Sequence, residues 1–578
     1  MRVAASRQCF RGHSMRKTIA FTLGLALAVG LSGCEPDTQL NVVNPNSADV
    51  NRALGKPADV EALISGSFGS TIRGMFGSTN DNVQNQMMVM ANESYSGLAN
   101  FAMGPRAAIP RSLVINTVGN SVASGNTKEF SQLATAAKQA SIGVGTIGTN
   151  GFTLGSTAQD LRARAFGNFV MGLSQGVVAL IYDSATIITG QSPSGLVPPL
   201  VSYDSVMRGA LALMDSAVVY ASNPAASAPT VGFPLPSTWM GGNALTAAQF
   251  VQVVKTYKAW LRVGVARTVA GRAAVDWNSA LAEAQAGITA DFKLTTNTTN
   301  NFNIVWPVQH YLFNTWHQMT PLIAGMADTT PLANGGYAQW ISVPIGNRGT
   351  GLGAPFTILT PDNRFPTGAT LAAQIVASGG AIGAATPNPV TGKPYFRARP
   401  AGENAWAGSW GDSPYDFYRF EAWYNTPSAA GRTGPYPILT LALKNAIIAE
   451  AGIRTGQWAI ATAAIDVSRV AAGLPSVAGI ADLVTPVPGG AACVPRVPQP
   501  PTYTTVACGN LLEAMKWEKR METAYTNYSA WFTDSRGWGD LPAGTSPQWA
   551  TPYQELQVRL RPLYSLPQFA PSPSTYGF

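Results

Sequence analysis

The residues best suited to bind a ligand lie in one aromatic stretch, residues 406–424, where large rings alternate with Gly, Ser and Asp. Sugar rings and apolar side chains stack on flat aromatic faces, and nearby amides and carboxylates fix hydroxyl groups. We therefore predict a ligand-binding platform formed by Trp406, Trp410, Tyr415 and Tyr418. A second interpretation is that these rings pack the loop onto the core, because large aromatic side chains are mostly buried.

A second aromatic cluster precedes this stretch and allows the same two interpretations. It contains Trp306, Tyr311 and Trp316, together with Gln309 and His310. Neither cluster contains a residue pattern that selects one interpretation over the other.

Two short motifs match catalytic or cofactor signatures, but each lies in the wrong context. Residues 143–148 (GVGTIG) match the dinucleotide pattern without the strand before it or the helix after it, so we interpret them as a flexible turn. Residues 172–176 (GLSQG) match the nucleophile pattern inside a helical stripe, where the glycines permit close helix packing.

His310 and His317 would lie about 10.5 Å apart along a helix, which excludes a joint zinc site without other ligands. We predict no catalytic residue, metal or cofactor.

The first 33 residues have the features of a lipoprotein signal peptide, whether translation starts at Met1 or at Met15. Residues 19–31 are an apolar run that suits secretion but is short for a membrane span. The run ends in LSGC, which resembles the bacterial lipobox, with Cys34 as the acylated residue. Glu35 rather than Asp follows the cysteine, which is compatible with outer-membrane sorting. We predict that lipid on Cys34 is the membrane attachment and that residues 34–51 form a polar tether.

Export also bears on the other two cysteines of the mature chain. Cys493 and Cys508 bracket a proline-rich segment, residues 494–507. Because disulfides persist in oxidising compartments, we predict that these two residues form one.

Composition and charge exclude some classes of partner. The 578 residues are enough to bury a large core, yet only 12% are charged, against about 25% in ordinary soluble domains. Residues 1–33 hold five cations and no acid, so the mature chain carries 33 cations against 30 anions. This small excess of positive charge does not predict a nucleic-acid-binding surface.

Apolar residues recur at helical spacing along most of the chain. The predicted helices cover residues 59–76, 160–188, 202–220, 246–270, 277–288, 439–455, 458–472 and 510–532. Asn510 and Glu513 are placed as a capping box for the last of these. Long Gly/Pro/Asn-rich stretches separate the helix pairs, at residues 223–243, 328–401 and 476–505. The pattern predicts a mainly all-α fold of helix pairs with long irregular loops, in one domain over residues 52–578.

Several segments resemble the SusD/RagB-type nutrient-binding lipoproteins. Residues 436–451 and 463–475 are similar to the family's helix-turn-helix, and residues 360–365 (TPDNRF) to its Asp-x-Arg turn. Residues 518–536 resemble its C-terminal signature, although Thr526 and Asn527 stand where Glu and Gly are usual. The resemblance implies tetratricopeptide-like helix pairs, ligand-binding insertions at about 300–435 and a signature region at 436–578.

The resemblance also implies a function. Proteins of this family capture a glycan, a peptide or another nutrient and deliver it to a TonB-dependent, SusC-like outer-membrane transporter. It further implies that Glu518, Glu522, Asp534 and Arg536 form scaffold ion pairs rather than acid/base catalysts.

Two other functions stay open at this point. A surface glycoside hydrolase would need two carboxyl groups about 5 to 9 Å apart, and Asp412 and Asp416 are the available pair. A structural or adhesive lipoprotein would bind no soluble ligand and no transporter.

Overall fold

Each of the predicted apolar stripes folds into helix. The computed structural model describes residues 54–77, 82–96, 103–120, 123–192, 197–227, 232–296, 302, 317–378, 394–400, 409–420, 423, 433–567 and 574–578. Residues 1–51, with the predicted signal peptide, Cys34 and the tether, lie outside this description. From Lys56 to Phe578 the chain forms one compact unit.

Within the described residues, the helices are α1 (Pro57–Phe76), α2 (Val83–Met90), α3 (Met103–Ala107), α4 (Lys128–Thr146), α5 (Thr157–Ile181), α6 (Tyr203–Ser222), α7 (Ala247–Gly264), α8 (Val269–Ala273), α9 (Trp277–Gln285), α10 (Pro321–Ala324), α11 (Gly336–Ser342), α12 (Leu371–Ala377), α13 (Leu441–Arg454), α14 (Trp458–Ala471), α15 (Leu511–Thr523), α16 (Ala530–Trp538) and α17 (Tyr553–Val558). The mainly α, tetratricopeptide-like fold predicted from the sequence is thereby confirmed. Residues 328–401, predicted as loop, contain the short helices α11 and α12.

The helices pack mainly on their neighbours in the chain. Helix α5 contacts α4 and α6, α7 contacts α6 and α9, and α13 contacts α9, α14 and α15. Among the described residues, α5 is long and apolar enough to cross a membrane, but 94% of its most apolar stretch is buried inside the protein. It is therefore the central core helix.

Strands are short and occur in antiparallel pairs. They are β1 (Tyr95–Ser96), β2 (Ser184–Ala185), β3 (Val201–Ser202), β4 (Phe292–Thr296), β5 (His317–Gln318), β6 (Phe396–Ala398), β7 (Tyr415–Phe417), β8 (Gly434–Leu439), β9 (Arg496–Pro498) and β10 (Val506–Cys508). The pairs are β1 with β5, β2 with β3, β4 with β8, β6 with β7, and β9 with β10. These strand pairs hydrogen-bond loop segments that are separated in the sequence.

The two glycine motifs are packing devices. The GVGTIG segment is a turn only at residues 147–148, since α4 continues to Thr146. A Cβ on Gly143 would lie 2.3 Å from Cγ1 of Ile64. A Cβ on Gly172 would lie 2.8 Å from the Ala210 carbonyl oxygen, and one on Gly176 would lie 2.4 Å from Cδ1 of Leu261. These glycines let α5 approach α6 and α7 closely, as predicted for the GLSQG segment.

The last long helix predicted from periodicity is in fact two helices. Helix α15 ends at Thr523 and α16 begins at Ala530, and between them Tyr525 and Ser529 have positive φ angles of 59° and 50°. The N–H of Tyr525 donates to the Glu93 carboxyl (2.8 Å), and that of Ser529 donates to the Gln84 side chain (3.0 Å). Contacts with residues distant in the chain thus replace the helical hydrogen bonds.

The predicted capping box at the start of α15 is half formed. The Asn510 side chain accepts the N–H of Glu513 (3.1 Å), but the Glu513 carboxylate binds Lys516 (2.9 Å) and the hydroxyl of Tyr576 (2.6 Å) instead of returning to Asn510. A reciprocal box forms at α7, between Thr246 and Gln249.

Substitution of a packing glycine tests the role of α5. We expect Gly172→Ala to lower the unfolding free energy by about 1–3 kcal/mol, because its Cβ would overlap the backbone of α6. Gly66→Ala is the matched control: it lies in α1 with no heavy atom within 4 Å of the added Cβ. The control should gain about 0.5–1 kcal/mol from helix propensity. Urea unfolding measures both, and equal effects of the two substitutions would contradict this account.

Candidate ligand-binding site

One end of the aromatic stretch forms a corner with a residue that sequence reasoning did not select. The half-buried ring of Trp410 meets the ring of Tyr95 edge-on, with centroids 4.9 Å apart. The Ser409 hydroxyl donates to the Tyr95 hydroxyl (2.6 Å), and the N–H of Ser409 donates to the Asp412 carboxylate (3.1 Å). We call Tyr95, Gln318, Ser409, Trp410 and Asp412 the aromatic corner.

Backbone pairing positions this corner. Tyr95 on β1 pairs with Gln318 on β5, and the Gln318 side chain accepts the N–H of Ser413 (2.8 Å). Gly411 allows the contact, since a Cβ there would lie 2.3 Å from the Tyr95 ring. The corner thus joins two chain segments that are more than 300 residues apart in sequence.

The corner places two hydroxyl groups and one carboxylate next to aromatic faces. Burial raises the pKa of the Tyr95 hydroxyl above its ordinary value, and the nearby Asp412 carboxylate raises it further. The phenol therefore stays protonated and can donate or accept a hydrogen bond. No sequence period marks Tyr95, since β1 has only two residues; the adjacent Trp-Gly of 410–411 is the sequence signal for a ring packed on backbone.

Two members of the predicted platform do not present a ring face to solvent. Tyr415 is 1% exposed; its hydroxyl accepts the N–H of Ile358 (2.8 Å) and donates to Gln374 (2.5 Å). Tyr418 is 5% exposed, and its ring lies 5.4 Å from the Arg397 guanidinium. Interpreting them as an exposed platform is wrong, because both rings are buried, Tyr415 in β7 and Tyr418 directly after it. Trp410 remains the platform member that is partly exposed among the described residues.

The remaining predicted aromatic residues fall outside the structural description. Trp406 and the cluster of Trp306, Tyr311 and Trp316 lie in residues that the structure does not describe. By sequence, Trp316 directly precedes His317 of β5, and Trp406 lies three residues before Ser409. A role for these residues in ligand binding stays a prediction.

The carboxylate pair considered for a hydrolase has other partners. Asp416 is buried and forms ion pairs with Arg397 (2.8 Å) and Arg399 (3.5 Å). Asp412 is 5% exposed and closes the turn to Ser409. Within the described residues, no group of three or more His, Cys, Asp or Glu side chains could hold a metal ion.

Two glutamates of the C-terminal signature belong to a buried ionic network around Arg364. Arg364 binds Glu518 (2.9 Å) and Glu522 (3.3 Å) on α15, and Asp362 (2.6 Å) on its own turn. Burial raises the pKa of Glu518 although Arg364 opposes the shift, whereas for Asp362 the effect of Arg364 exceeds that of burial and the pKa falls. We call these four residues the Arg364 network.

A second buried group continues from α15 into α13 and α16. Arg272 binds Glu450 (2.5 Å) and Asp534 (2.9 Å), and Lys519 binds Asp534 (2.8 Å). Burial opposes the ionisation of Glu450, but Arg272 more than offsets it and lowers the pKa to about 2. Glu518, Glu522 and Asp534 therefore form ion pairs within the scaffold.

Arg536 has a different role from the one implied by the family resemblance. Its guanidinium donates to the carbonyls of Leu180 (2.7 Å) and Gly264 (2.8 Å), which lie in the last turns of α5 and α7. Arg267 likewise donates to the Ala179 carbonyl (2.7 Å). Helix C-termini carry partial negative charge, so both arginines act as caps rather than as partners of a carboxylate.

The Arg364 network also places the corner. The carbonyl of Arg364 accepts the N–H groups of Tyr395 (2.7 Å) and Phe396 (3.0 Å), which fixes β6, and β6 pairs with β7 just after the corner. On the other side, the end of α15 holds Glu93, two residues before Tyr95. Burial raises the pKa of Glu93 to about 8, so this carboxyl is mostly uncharged at neutral pH.

The predicted cysteine pair lies away from the corner. A disulfide bond joins Cys493 and Cys508, whose Cα atoms are 5.7 Å apart, at the base of the β9–β10 hairpin.

Solved structures share this architecture. A protein described as a laminarin-binding SusD-like protein is 14% identical with a TM-score of 0.50, over 89% of this chain and 100% of its own. The chain has the SusD-like fold. A SusD superfamily protein from Bacteroides vulgatus gives 14% identity and a TM-score of 0.49, covering 84% and 89% of the two chains. No protein-family model and no curated protein matches the chain.

The SusD-like fold confirms the resemblance predicted from the signature segments, at the level of the fold. A SusD-like protein from Bacteroides fragilis gives 14% identity and a TM-score of 0.48, covering 89% and 97% of the two chains. At 14% identity, the likeness to the laminarin-binding SusD-like protein shows the fold alone. The residues that contact a ligand have to be argued from this chain itself.

Removing the central cation of the SusD-like scaffold tests the Arg364 network. We expect Arg364→Met to cost about 3–5 kcal/mol of unfolding free energy, because it leaves three buried carboxyl groups without their shared partner. Arg208→Met is the matched control, since Arg208 pairs with Asp204 on the surface of α6 and its side chain is 67% exposed. The control should change stability by less than about 0.5 kcal/mol. Similar losses for both variants in chemical unfolding would show that burial of the network is not what matters.

Proposed function

We propose that this protein captures a neutral glycan at the aromatic corner. The observation that carries the proposal is the half-exposed Trp410 ring, held against Tyr95 and surrounded by the Ser409 hydroxyl and the Asp412 carboxylate. An aromatic face next to a few oriented polar groups is the arrangement that sugar rings require. The shared fold with a laminarin-binding SusD-like protein supports a glycan as the ligand.

The proposed role is binding without catalysis. Asp416 is held by two arginines, and the carboxylates of the signature region are paired inside the scaffold. A hydrolase would need one carboxyl group poised to donate a proton and a second one free to act as base or nucleophile. The described carboxylates near the corner, Asp412 and Asp416, instead bind the Ser409 N–H and two arginines.

The proposed place of action is the outer membrane. Lipid on Cys34 would anchor the chain there, with residues 34–51 as tether, exposed at the cell surface. The glycan, oligosaccharide or peptide nutrient would then pass to a TonB-dependent, SusC-like transporter. The lipobox-like LSGC sequence and the SusD-like fold support this assignment.

Truncation of Trp410 tests glycan binding. We expect Trp410→Ala to weaken the binding of the glycan by about ten-fold or more, since central aromatic contacts often contribute 2 kcal/mol or more, and about 1.4 kcal/mol is ten-fold. Trp458→Ala is the matched control, because Trp458 is also half-buried but lies at the start of α14. Affinity electrophoresis in laminarin, starch and xylan gels followed by calorimetry gives the readout.

Two results would contradict the proposal. One is retention of full affinity by Trp410→Ala, with circular dichroism showing that both variants are folded. The other is equal loss in the Trp458→Ala control.

Lipid anchoring and the transporter are tested together. We expect Cys34→Ser to release the protein from the membrane fraction, because the acyl chains are its proposed attachment. Co-purification of the tagged wild-type chain from outer membranes in mild detergent should recover a TonB-dependent barrel. Unchanged membrane fractionation of Cys34→Ser would overturn the anchor, and recovery of the acylated protein alone would overturn the transporter.

A further inference from the structure

A tyrosine at the tip of the disulfide-closed hairpin occupies an unusual position. Tyr503 lies between β9 and β10, is half-exposed, and has a positive φ of 55°. A bulky residue rarely adopts this left-handed conformation, because its Cβ crowds the backbone. Such strained positions persist where the surrounding structure over-determines them, and they cluster at functional sites.

The hairpin fixes this conformation from both sides. The N–H of Tyr503 donates to the Gln499 carbonyl (2.8 Å), and the N–H of Gln499 donates to the Thr505 carbonyl (2.8 Å). Below the tip, the Cys493–Cys508 disulfide closes the hairpin. The Tyr503 ring rests against Gly577, where a Cβ would lie 2.2 Å from Cγ of the ring. The aromatic face is therefore held in place before any ligand arrives.

Tyr503 lines two clefts at once. One cleft, of about 450 Å³, also contains Ser574 and Thr575. The other, of about 400 Å³, contains Ser342 and Thr504. The ring thus separates two hydroxyl-bearing recesses, each large enough for a small ligand.

The arginines that line these clefts donate hydrogen bonds to backbone carbonyls. Arg267 and Arg536 in the first cleft donate to carbonyls at the ends of α5 and α7. Arg348 in the second donates to the carbonyls of Val343 (2.8 Å) and Ile341 (3.1 Å), and burial lowers its pKa to about 10. The clefts therefore offer an aromatic face and hydroxyl groups beside arginines that are bonded to backbone carbonyls, and these groups can bind a polyhydroxylated ligand.

A short segment connects these clefts with the aromatic corner. Met103, at the start of α3, packs in one cluster with Tyr95 and Trp410, and Ile109 lines the second cleft. Five residues lie between the two, so their Cα atoms lie at most about 22 Å apart. One short segment of the chain thus contacts the aromatic corner at one end and the second cleft at the other.

We propose that Tyr503 and its two clefts form a second glycan-binding site, which engages a further part of the chain held at the aromatic corner. This site deepens the proposed function and rests on it. It predicts that Tyr503 contributes to the affinity for long glycans and not for short ones, because only a long chain occupies both sites.

The test uses Tyr503→Gly, which removes the ring and also relieves the positive φ, so that folding is preserved. Calorimetry compares oligosaccharide ladders of laminarin, starch and xylan, from disaccharide to heptasaccharide, on the lipid-free full mature chain. We expect Tyr503→Gly to weaken binding of the longest members by about three- to ten-fold and to leave the shortest unchanged. Tyr503→Phe should bind like the wild type, since it keeps the ring. Tyr220→Ala, which removes a half-exposed tyrosine on α6, is the matched control.

The outcomes separate this inference from the proposed function. If the wild type binds a ladder and Trp410→Ala weakens every member, but Tyr503→Gly changes none or changes all lengths equally, the second site is wrong and the corner stands. If the wild type binds none of the three ladders, glycan capture and the second site both fail.

Discussion

Glu518 and Glu522 carry carboxyl groups inside the protein, and their burial depends on a shared cation, Arg364, which binds both of them. Arg364 belongs to a turn more than 150 residues earlier in the chain, so satisfying these charges fixes where that turn lies. The carbonyl of the same residue then holds the start of β6, and β6 holds β7. The position of the aromatic corner thus follows from an electrostatic requirement at the centre of the scaffold.

Several buried arginines have their partners inside the scaffold. Arg272 neutralises carboxylates, and Arg267 and Arg536 cap helix C-termini. The corner and the surroundings of Tyr503 present aromatic faces and hydroxyl groups, together with the Asp412 carboxylate and the arginines that line the clefts. Aromatic faces beside such polar groups suit the recognition of a ligand by its shape and its hydroxyl pattern.

Close helix packing imposes a second constraint. Helix α5 is buried along most of its length, and it approaches its neighbours closely where a side chain is missing, at Gly167, Gly172 and Gly176. The same glycine pattern is read by a motif search as a nucleophile signature. Short glycine motifs therefore need their secondary structure before they can be assigned a chemistry.

The sequence by itself predicted the long helices α1, α5, α6, α7, α13 and α14, because apolar spacing at the helical period is a local property. It also determined the neutrality of the protein and, through the signature residues, the scaffold carboxylates. Only the tertiary structure decided that the helix after Asn510 breaks at Tyr525, that Tyr415 and Tyr418 point inward, and that Tyr95 meets Trp410. Each of these depends on a partner far away in the chain: Glu93 takes the N–H of Tyr525, Gln374 accepts the Tyr415 hydroxyl, and Ser409 binds Tyr95. Apolar periodicity predicts which face of a helix or strand is buried. It does not predict which distant residue will contact that face or its backbone.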